Sequence, residues 1–519
     1  MAIVPAGKRS WIALWQWHVI KKPKKHRMFL NRFISVFMLK AYCLGLIVTL
    51  ATVQSAVAQP NVVIVMADQW RGSALGYLGK EKVYTPYLDS LARHSATISK
   101  FITNYPVCSP SRAIMLTGQY PFQNQVYGNV NSATAPFGVE LPKEIACWSD
   151  RLKSAGYYNG YIGKWHLDSP HKPFINTSNN VGKTAWNEWT PPDRRHGFDY
   201  WYAYGTYDVH TKPMYWDKNA SREGFHYVDQ WGPEHEVDKA ISFFENKNGE
   251  RMADKPFSLM ISMNPPHTGY EYFPKQYLDP YQNIPLDSLI TDPDIPGAES
   301  KMGQAYRRDV KNYYANITGV DAQIGRMMQA LEAQGLLENT IVIITADHGN
   351  CLGKHEEITK NNIFEPSLEI PFIVYWKNKV KPGINDQVMA SMIDFYPTLL
   401  DLCGLEQPRD QKIKGNSFAK QLLSGSGAVG GEQFFMGRVL PDKKQVSGFR
   451  GVRTARYKLA YDKTGKGLVA SFFDLQKDPF ELNNLYQPGL PEVKLLERQL
   501  KNWLVQSDDA FYKLLPVNP

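Results

Sequence analysis

Two short runs dominate the hydropathy pattern, Asn61–Ala67 (NVVIVMA) and Thr340–Ala346 (TIVIITA). Each is continuously apolar and β-branched, without the alternation of a half-exposed strand. That pattern predicts strands covered on both faces, as in a parallel sheet between helices. Both runs end at an acid, Asp68 and Asp347. A third pattern has helical spacing: Tyr306, Val310, Tyr313, Ile317, Val320, Ile324, Met327 and Leu331, closed by Gly335. It predicts a long amphipathic helix whose apolar stripe faces the core. Helix, buried strand and acidic loop form doubly wound α/β grammar.

The N-terminus reads as an address. Residues 41–53 (AYCLGLIVTLATV) follow a basic stretch and precede Ala56-Val57-Ala58. This is a secretory signal pattern, with cleavage expected after Ala58 and a periplasmic or secreted product. The run is shorter than the ~20 residues of a membrane span, so no stable span is expected. An uncleaved anchor is the other reading. Residues 1–27 are unlike a normal signal start, and Met28 or Met38 would give a more usual one.

Composition then narrows the class. The chain has 519 residues, 43% hydrophobic and 21% charged, as in an ordinary globular protein. Its formal charge is +9, but nine of the 59 Lys and Arg lie in residues 1–58, which hold no acid. The rest carries 50 charges of each sign. That argues against a broad nucleic-acid surface. Cleavage would leave Cys108, Cys147, Cys351 and Cys403, too few for a disulfide framework.

Ligands of open α/β sheets bind beyond the carboxyl ends of strands. Asp68 and Asp347 could meet there around a hard cation, since carboxylate and amide oxygens suit calcium or magnesium. Each Asp alone could equally cap the next turn. Between them lies Pro106–Arg112 (PVCSPSR), followed by AIMLTGQYP. Pro110 and Ser111 are expected to open a helix. Cys108 would then face its N-terminus, where the dipole favours anions, with Arg112 returning from the next turn. A buried cysteine in a helix-start loop is the plainer alternative. Residues 157–232 hold 18 aromatics in 76 positions. These are either sugar-facing loop residues or an aromatic subcore. Arg71, Arg194, Arg195, Asp208 and His210 are further groups able to reach a sugar or anion, with no individual role assigned.

Here a resemblance becomes specific. Cys108-Ser109-Pro110-Ser111-Arg112 matches the C-x-P-S-R signature of the type I sulfatases, within the alkaline-phosphatase superfamily, and Leu116-Thr117-Gly118 fits its second half. Asp68, Gly163-Lys164-Trp165-His166, Asn264-Pro265-Pro266-His267, Asp347-His348-Gly349, and Lys360 before Glu365 follow in order. Val452–Leu459, Phe473–Leu475 and Asp478–Leu485 look like the family's C-terminal part. The resemblance spans about residues 60–490. It implies a large mixed, mostly parallel sheet sandwiched by helices, alkaline-phosphatase-like, with a smaller C-terminal α+β subdomain. The expected division is a leader to 58, a catalytic domain over 59–405 and a C-terminal subdomain over 406–519.

The resemblance also implies the chemistry. Cys108 would be oxidised to formylglycine by a maturation enzyme. Its hydrate would attack sulfur with one hydroxyl and expel sulfate through the other. Asp68, Gln69, Cys108, Asp347 and His348 would hold one Ca2+, with Mg2+ the lesser choice. Gln69 and His348 depart from the commoner Asp and Asn of the family. Cys108, Arg112, Lys164, His166, His267 and Lys360 would be the catalytic set. Arg112 and Lys164 serve the formylglycine, His166 its hydroxyl, and His267 and Lys360 the sulfate and leaving oxygen. His267 is the expected general acid, and His355 a further candidate. The implied substrate is a sulfated glycan, algal (ulvan or carrageenan type) or a glycosaminoglycan. A phosphonate or phosphate ester hydrolase of the same superfamily, or a non-catalytic glycan-binding relative, are the alternatives.

Overall fold

The computed structural model describes residues 59–516, apart from 409–412, 428–429 and 444–445. The expected leader and its cleavage point lie outside the described residues. Ten strands make the large sheet: β1 (Asn61–Ala67), β2 (Ala96–Ile98), β3 (Tyr158–Lys164), β4 (Tyr200–Tyr204), β5 (Met214–Asp217), β6 (His226–Tyr227), β7 (Phe257–Met263), β8 (Thr340–Ala346), β9 (Phe372–Tyr375) and β10 (Gly383–Asn385). Their spatial order is β10-β2-β9-β8-β1-β7-β3-β4-β5-β6. The five central strands, β8 to β4, run parallel. β9 and β5 flank them antiparallel. Every residue of β8, and all of β1 but Asn61, is buried, which is why both read as unbroken apolar runs.

The register aligns the strand ends. Ala67 pairs with Ala346 and with Met263, and Gly163 with Ser262. Asp68, Asp347, Asn264 and Lys164 therefore emerge together at the carboxyl edge of the parallel strands. Gly163 has φ of 97°, and a Cβ there would stand 2.2 Å from the Ser262 carbonyl oxygen. Only glycine allows that approach.

Four helices matter here: α1 (Cys108–Thr117), α2 (Gly232–Glu245), α3 (Lys301–Ala333) and α4 (Pro491–Gln506). In α3 all eight expected apolar positions are buried, and the Ser300 side chain caps the first turn. α2 packs on β3, β7 and α3. Helix α1 starts at Cys108, two residues before the expected opening, and stops at Gly118, whose φ is 63°. Pro110 is tolerated inside because first-turn N–H groups have no helical partner to lose. Among the described residues no helix is long and apolar enough to cross a membrane.

The C-terminal part adds an antiparallel sheet, β11 (Gln433–Gly437), β12 (Gly448–Arg453), β13 (Tyr457–Thr464) and β14 (Gly467–Asp474), with α4 packed on β12 and β13. The architecture is thus the large mixed, mostly parallel sheet with helices and a smaller C-terminal part. Much of the aromatic density in residues 157–232 is interior: Tyr161, Trp165, Phe198 and Trp201 are buried and interlock ring against ring. Those rings form a subcore, not a sugar platform. Trp186 is half-buried, 6.3 Å from the His166 ring.

Candidate active site

Cys108 is the first residue of α1, buried at the carboxyl edge of the large sheet. Its Sγ lies 3.1 Å from Lys360 Nζ, 3.4 Å from His348 Nε2, 3.7 Å from Asp68 Oδ1 and 4.0 Å from Lys164 Nζ. The strand ends supply Asp68 and Asp347, and α1 supplies the group that ties them. Arg112 Nη2 is 3.2 Å from Asp68 and 2.9 Å from Asp347, while Nη1 donates to the Lys164 carbonyl (2.7 Å) and to Ser262 Oγ (2.6 Å). Ser111, also of the motif, donates to the Asp347 carbonyl at 2.5 Å. So α1 is fastened to β8, β1, β3 and β7 by its own first turns.

Cations crowd the acids. Lys164 Nζ sits 2.7 Å from Asp68 Oδ2 and donates to Asn264 Oδ1 at 3.0 Å. Lys360 Nζ is 3.1 Å from both His267 Nε2 and His348 Nε2. Burial alone would raise Asp68, but Lys164, His267, Lys360 and the His348 hydrogen bond hold it well below the usual carboxylate range. Asp347 moves up, through burial and the neighbouring Asp68 charge. Cys108 falls well below an ordinary thiol, since Lys164, Lys360 and His348 outweigh burial and Asp68. Burial would lower His348, yet Asp347, Cys108 and Asp68 push it up to about 9.

Hydrogen-bond partners set the histidine roles. His348 Nδ1 lies 2.9 Å from the Gly349 carbonyl, which only accepts, so Nδ1 donates. As a metal ligand His348 would be neutral and would direct its Nε2 lone pair at Cys108, Asp68 and Asp347. His166 Nε2 lies 3.0 Å from the Val130 carbonyl, which likewise makes Nε2 the donor. Its Nδ1 is a buried lone pair without a hydrogen-bond partner among the described residues. Burial lowers the His166 pKa and Cys108 opposes the shift.

The donor set fits a metal ion. Ligand atoms of Asp68, Cys108, Asp347 and His348 all lie within 4.8 Å of one another. Gln69 has φ of 69°, and its backbone N–H donates to Asp347 at 3.1 Å. Its Nε2 donates to the Tyr270 hydroxyl at 3.0 Å, which leaves Oε1 buried with no partner among the described residues. A buried amide oxygen left free on the residue that follows Asp68 and bonds Asp347 through its backbone is the type of donor a hard cation takes.

Of the sequence-expected residues, Gln69, Arg112, Lys164, His348 and Lys360 pair or hydrogen-bond directly with the Asp68–Cys108–Asp347 group, His267 joins through Lys360, and His166 is held by the Val130 carbonyl. His355 does not join. It stacks on Phe364 at 3.9 Å and faces Asp294 (3.4 Å), so its position in sequence near Lys360 misleads. Arg71, Arg194 and Arg195 are spent elsewhere, on Glu81, on Asp168 and on the Thr190 and Lys218 carbonyls. Asp208 and His210 do reach the site. Asn264 was legible only as part of a motif, yet it links Lys164 to Asp208 and His210.

Comparison with known proteins agrees with this geometry. The family model described as Sulfatase matches residues 60–405, and one described as N-sulphoglucosamine sulphohydrolase, C-terminal, matches 353–510. An endo-4-O-sulfatase of Bacteroides thetaiotaomicron is 35% identical over 490 residues, covering 87% of this chain and 93% of that protein. A ulvan-active sulfatase of Formosa agariphila is 31% identical, covering 86% and 80%. A Bacteroides fragilis protein solved as a candidate sulfatase, yidJ, superposes with a TM-score of 0.85 at 45% identity, covering 88% of this chain and 98% of its own.

Proposed function

The chain belongs to the sulfatase family of sulfuric ester hydrolases, and we propose that it is an exported enzyme that removes sulfate from a polysaccharide or its oligosaccharides. The reactive group is residue 108 as formylglycine, made from Cys108 by a maturation enzyme. In that form residue 108 supplies two hydroxyls, one to take the sulfuryl group and one whose proton loss releases it. One Ca2+ would be held by Asp68, Gln69, Asp347, His348 and residue 108, where it would neutralise sulfate oxygens and lower the pKa of a hydroxyl. The catalytic domain is residues 59–405 and the C-terminal subdomain 406–519.

The protein's own groups divide the remaining work. Arg112 fixes the two carboxylates and is neutralised by them. Lys164 and Lys360 flank residue 108 and offset charge on sulfate. His166 Nδ1, a lone pair, accepts a hydroxyl proton at residue 108. His267, whose pKa is raised through Asp68 and Asp208 against burial and the lysines, donates to the leaving oxygen. The glycan is inferred from the relatives: one is an endo-4-O-sulfatase and one acts on ulvan.

The observation that carries the reading is the thiol position at the start of α1, ringed by Lys164, Lys360 and His348, together with a buried Gln69 oxygen that has no partner among the described residues. The test is peptide mass spectrometry across residue 108 in protein from its native host, paired with sulfate release from chondroitin 4-sulfate and ulvan oligosaccharides. A formylglycine peptide and sulfate release are expected. Unmodified Cys108 in fully active protein, or faster turnover of phosphate esters, would overturn the reading.

A further inference from the structure

Asp208 lies four residues beyond β4 and is half-buried at the rim of the site. Its Oδ1 is 3.3 Å from His267 Nδ1 and accepts from Asn264 Nδ2 at 3.2 Å. Asn179 Nδ2 approaches the other oxygen at 3.5 Å. Asn264 in turn holds the Tyr207 carbonyl (2.8 Å), His210 Nε2 (3.1 Å) and, through its own oxygen, Lys164 (3.0 Å). The carboxylate is therefore anchored to the same frame that carries the cations.

We propose that Asp208 is the positioning residue for His267: its carboxylate faces the Nδ1–H and holds the hydrogen on that nitrogen, so that Nε2 faces the reacting ester. The inference rests on the sulfatase reading above. A carboxylate can only accept, so Nδ1 must carry a hydrogen while Asp208 is in place. The opposite nitrogen, Nε2, looks toward Lys360, whose Nζ is 3.1 Å from it and 3.1 Å from Cys108 Sγ. An ammonium only donates, so Nε2 accepts from Lys360 in this arrangement and becomes the acid once it is protonated, with the Asp208 carboxylate offsetting the imidazolium charge; acid catalysis then has one geometry. The Nε2–H bond breaks and an O–H bond forms on the bridging ester oxygen. The S–O bond to that oxygen breaks with its electron pair left on oxygen, sulfur passes to the attacking group at residue 108, and the alcohol departs. Nδ1 keeps its proton against Asp208 throughout. Thr268 Oγ1, 3.1 Å from the same Nδ1, is a neutral second partner and cannot offset the imidazolium charge.

The test is a double-mutant cycle on the matured enzyme, using Asp208→Asn, His267→Ala and the double variant. The substrate is whichever of chondroitin 4-sulfate or ulvan oligosaccharides the wild-type enzyme desulfates faster. His267→Ala is expected to lower kcat by about 10²–10⁴-fold. Asp208→Asn should lower kcat by about 10–100-fold, as loss of a histidine's orienting carboxylate does, with KM little changed. The double variant should be no slower than His267→Ala, because the two act as one unit. Should Asp208→Asn fail to fold, Asp208→Ser carries the same expectation. Multiplicative losses, or a rise in KM with kcat intact, would overturn the proposal and make Asp208 a substrate contact or a structural group. A wild-type enzyme that releases no sulfate would instead refute the functional reading.

Discussion

Two clusters of buried charge sit in this protein, built from the same residue types and opposite in character. In the first, at the carboxyl edge of the large sheet, Arg112, Lys164 and Lys360 surround Asp68 and Asp347. In the second, Arg453 and Lys458 of the small sheet meet Glu365, which lies before β9, at 2.7 and 3.0 Å, and Lys458 also pairs with Glu481. Lys458 donates further to the Ile363 carbonyl, and the Glu365 backbone N–H to Glu481, both at 2.7 Å. The second cluster pairs its charges across β12, β13 and the loop before β9. It works as a clamp. The first has more fixed cations than acids and leaves Gln69 Oε1 and His166 Nδ1 without hydrogen-bond partners among the described residues. Buried polar groups without partners are costly unless something else satisfies them. Charge density alone thus does not mark a site; the imbalance and the unmet atoms do.

The largest expected effect tests the first cluster. Cys108→Ala should lower sulfate release by about 10⁴-fold or more, since it removes the nucleophile. Thermal melting should stay close to wild type, because α1 is held by Arg112 and Ser111. Retained turnover would show that this cluster is not where the reaction occurs.

The clamp should respond in stability, not rate. Arg453→Met leaves Glu365 facing one cation fewer in a buried setting, and loss of one partner there costs about 3–5 kcal/mol. Urea unfolding would measure it, while kcat of the folded fraction should be unchanged within error. A fall in kcat without a fall in stability would erase the distinction between the clusters.

A smaller effect sharpens the idea of unmet atoms. Gln69→Leu keeps the size and removes the oxygen. After chelation and titration with calcium, the concentration restoring half activity should rise about 10–100-fold. An unchanged calcium dependence would remove Gln69 from the ligand set.

These contrasts also show what was legible in the sequence. β1 and β8 could be read because burial on both faces writes an unbroken apolar run. The long α3 helix could be read because eight core positions keep one period. The family motifs brought Cys108, Arg112, Lys164, Lys360 and the strand-end acids together. What could not be read depends on contacts between distant loops. Asn264 reaches Asp208 across 56 positions, and nothing local at either residue signals it. The aromatic stretch misled in part because composition does not distinguish rings that face outward from rings that face each other. His355 misled for the converse reason: it is near Lys360 in sequence, but the chain turns it toward Asp294.

Glu236 is the borderline case between the two clusters and carries the smallest effect. It lies on α2 beneath β3, 1% exposed, with Oε1 accepting from the Tyr215 hydroxyl at 3.1 Å and Oε2 without a partner among the described residues. No cation pairs with it in a salt bridge among the described residues. Burial pushes its pKa up to about 8, with Tyr215 and Arg112 opposing only in part. The folded pKa is above the unfolded value, so the folded state holds this proton more tightly. Its contribution to stability is complete below about pH 4.5 and is lost as pH rises toward 8. Glu236→Gln should therefore flatten the decline in melting temperature between pH 5 and 8, and should stabilise the protein at pH 8 by about 1–2 kcal/mol once relaxation around the ionised form is allowed for. Identical pH profiles for the two proteins would mean that Glu236 ionises freely. A carboxylate would then be tolerated in the interior without a partner, and an unmet polar atom would lose its value as a sign of a site.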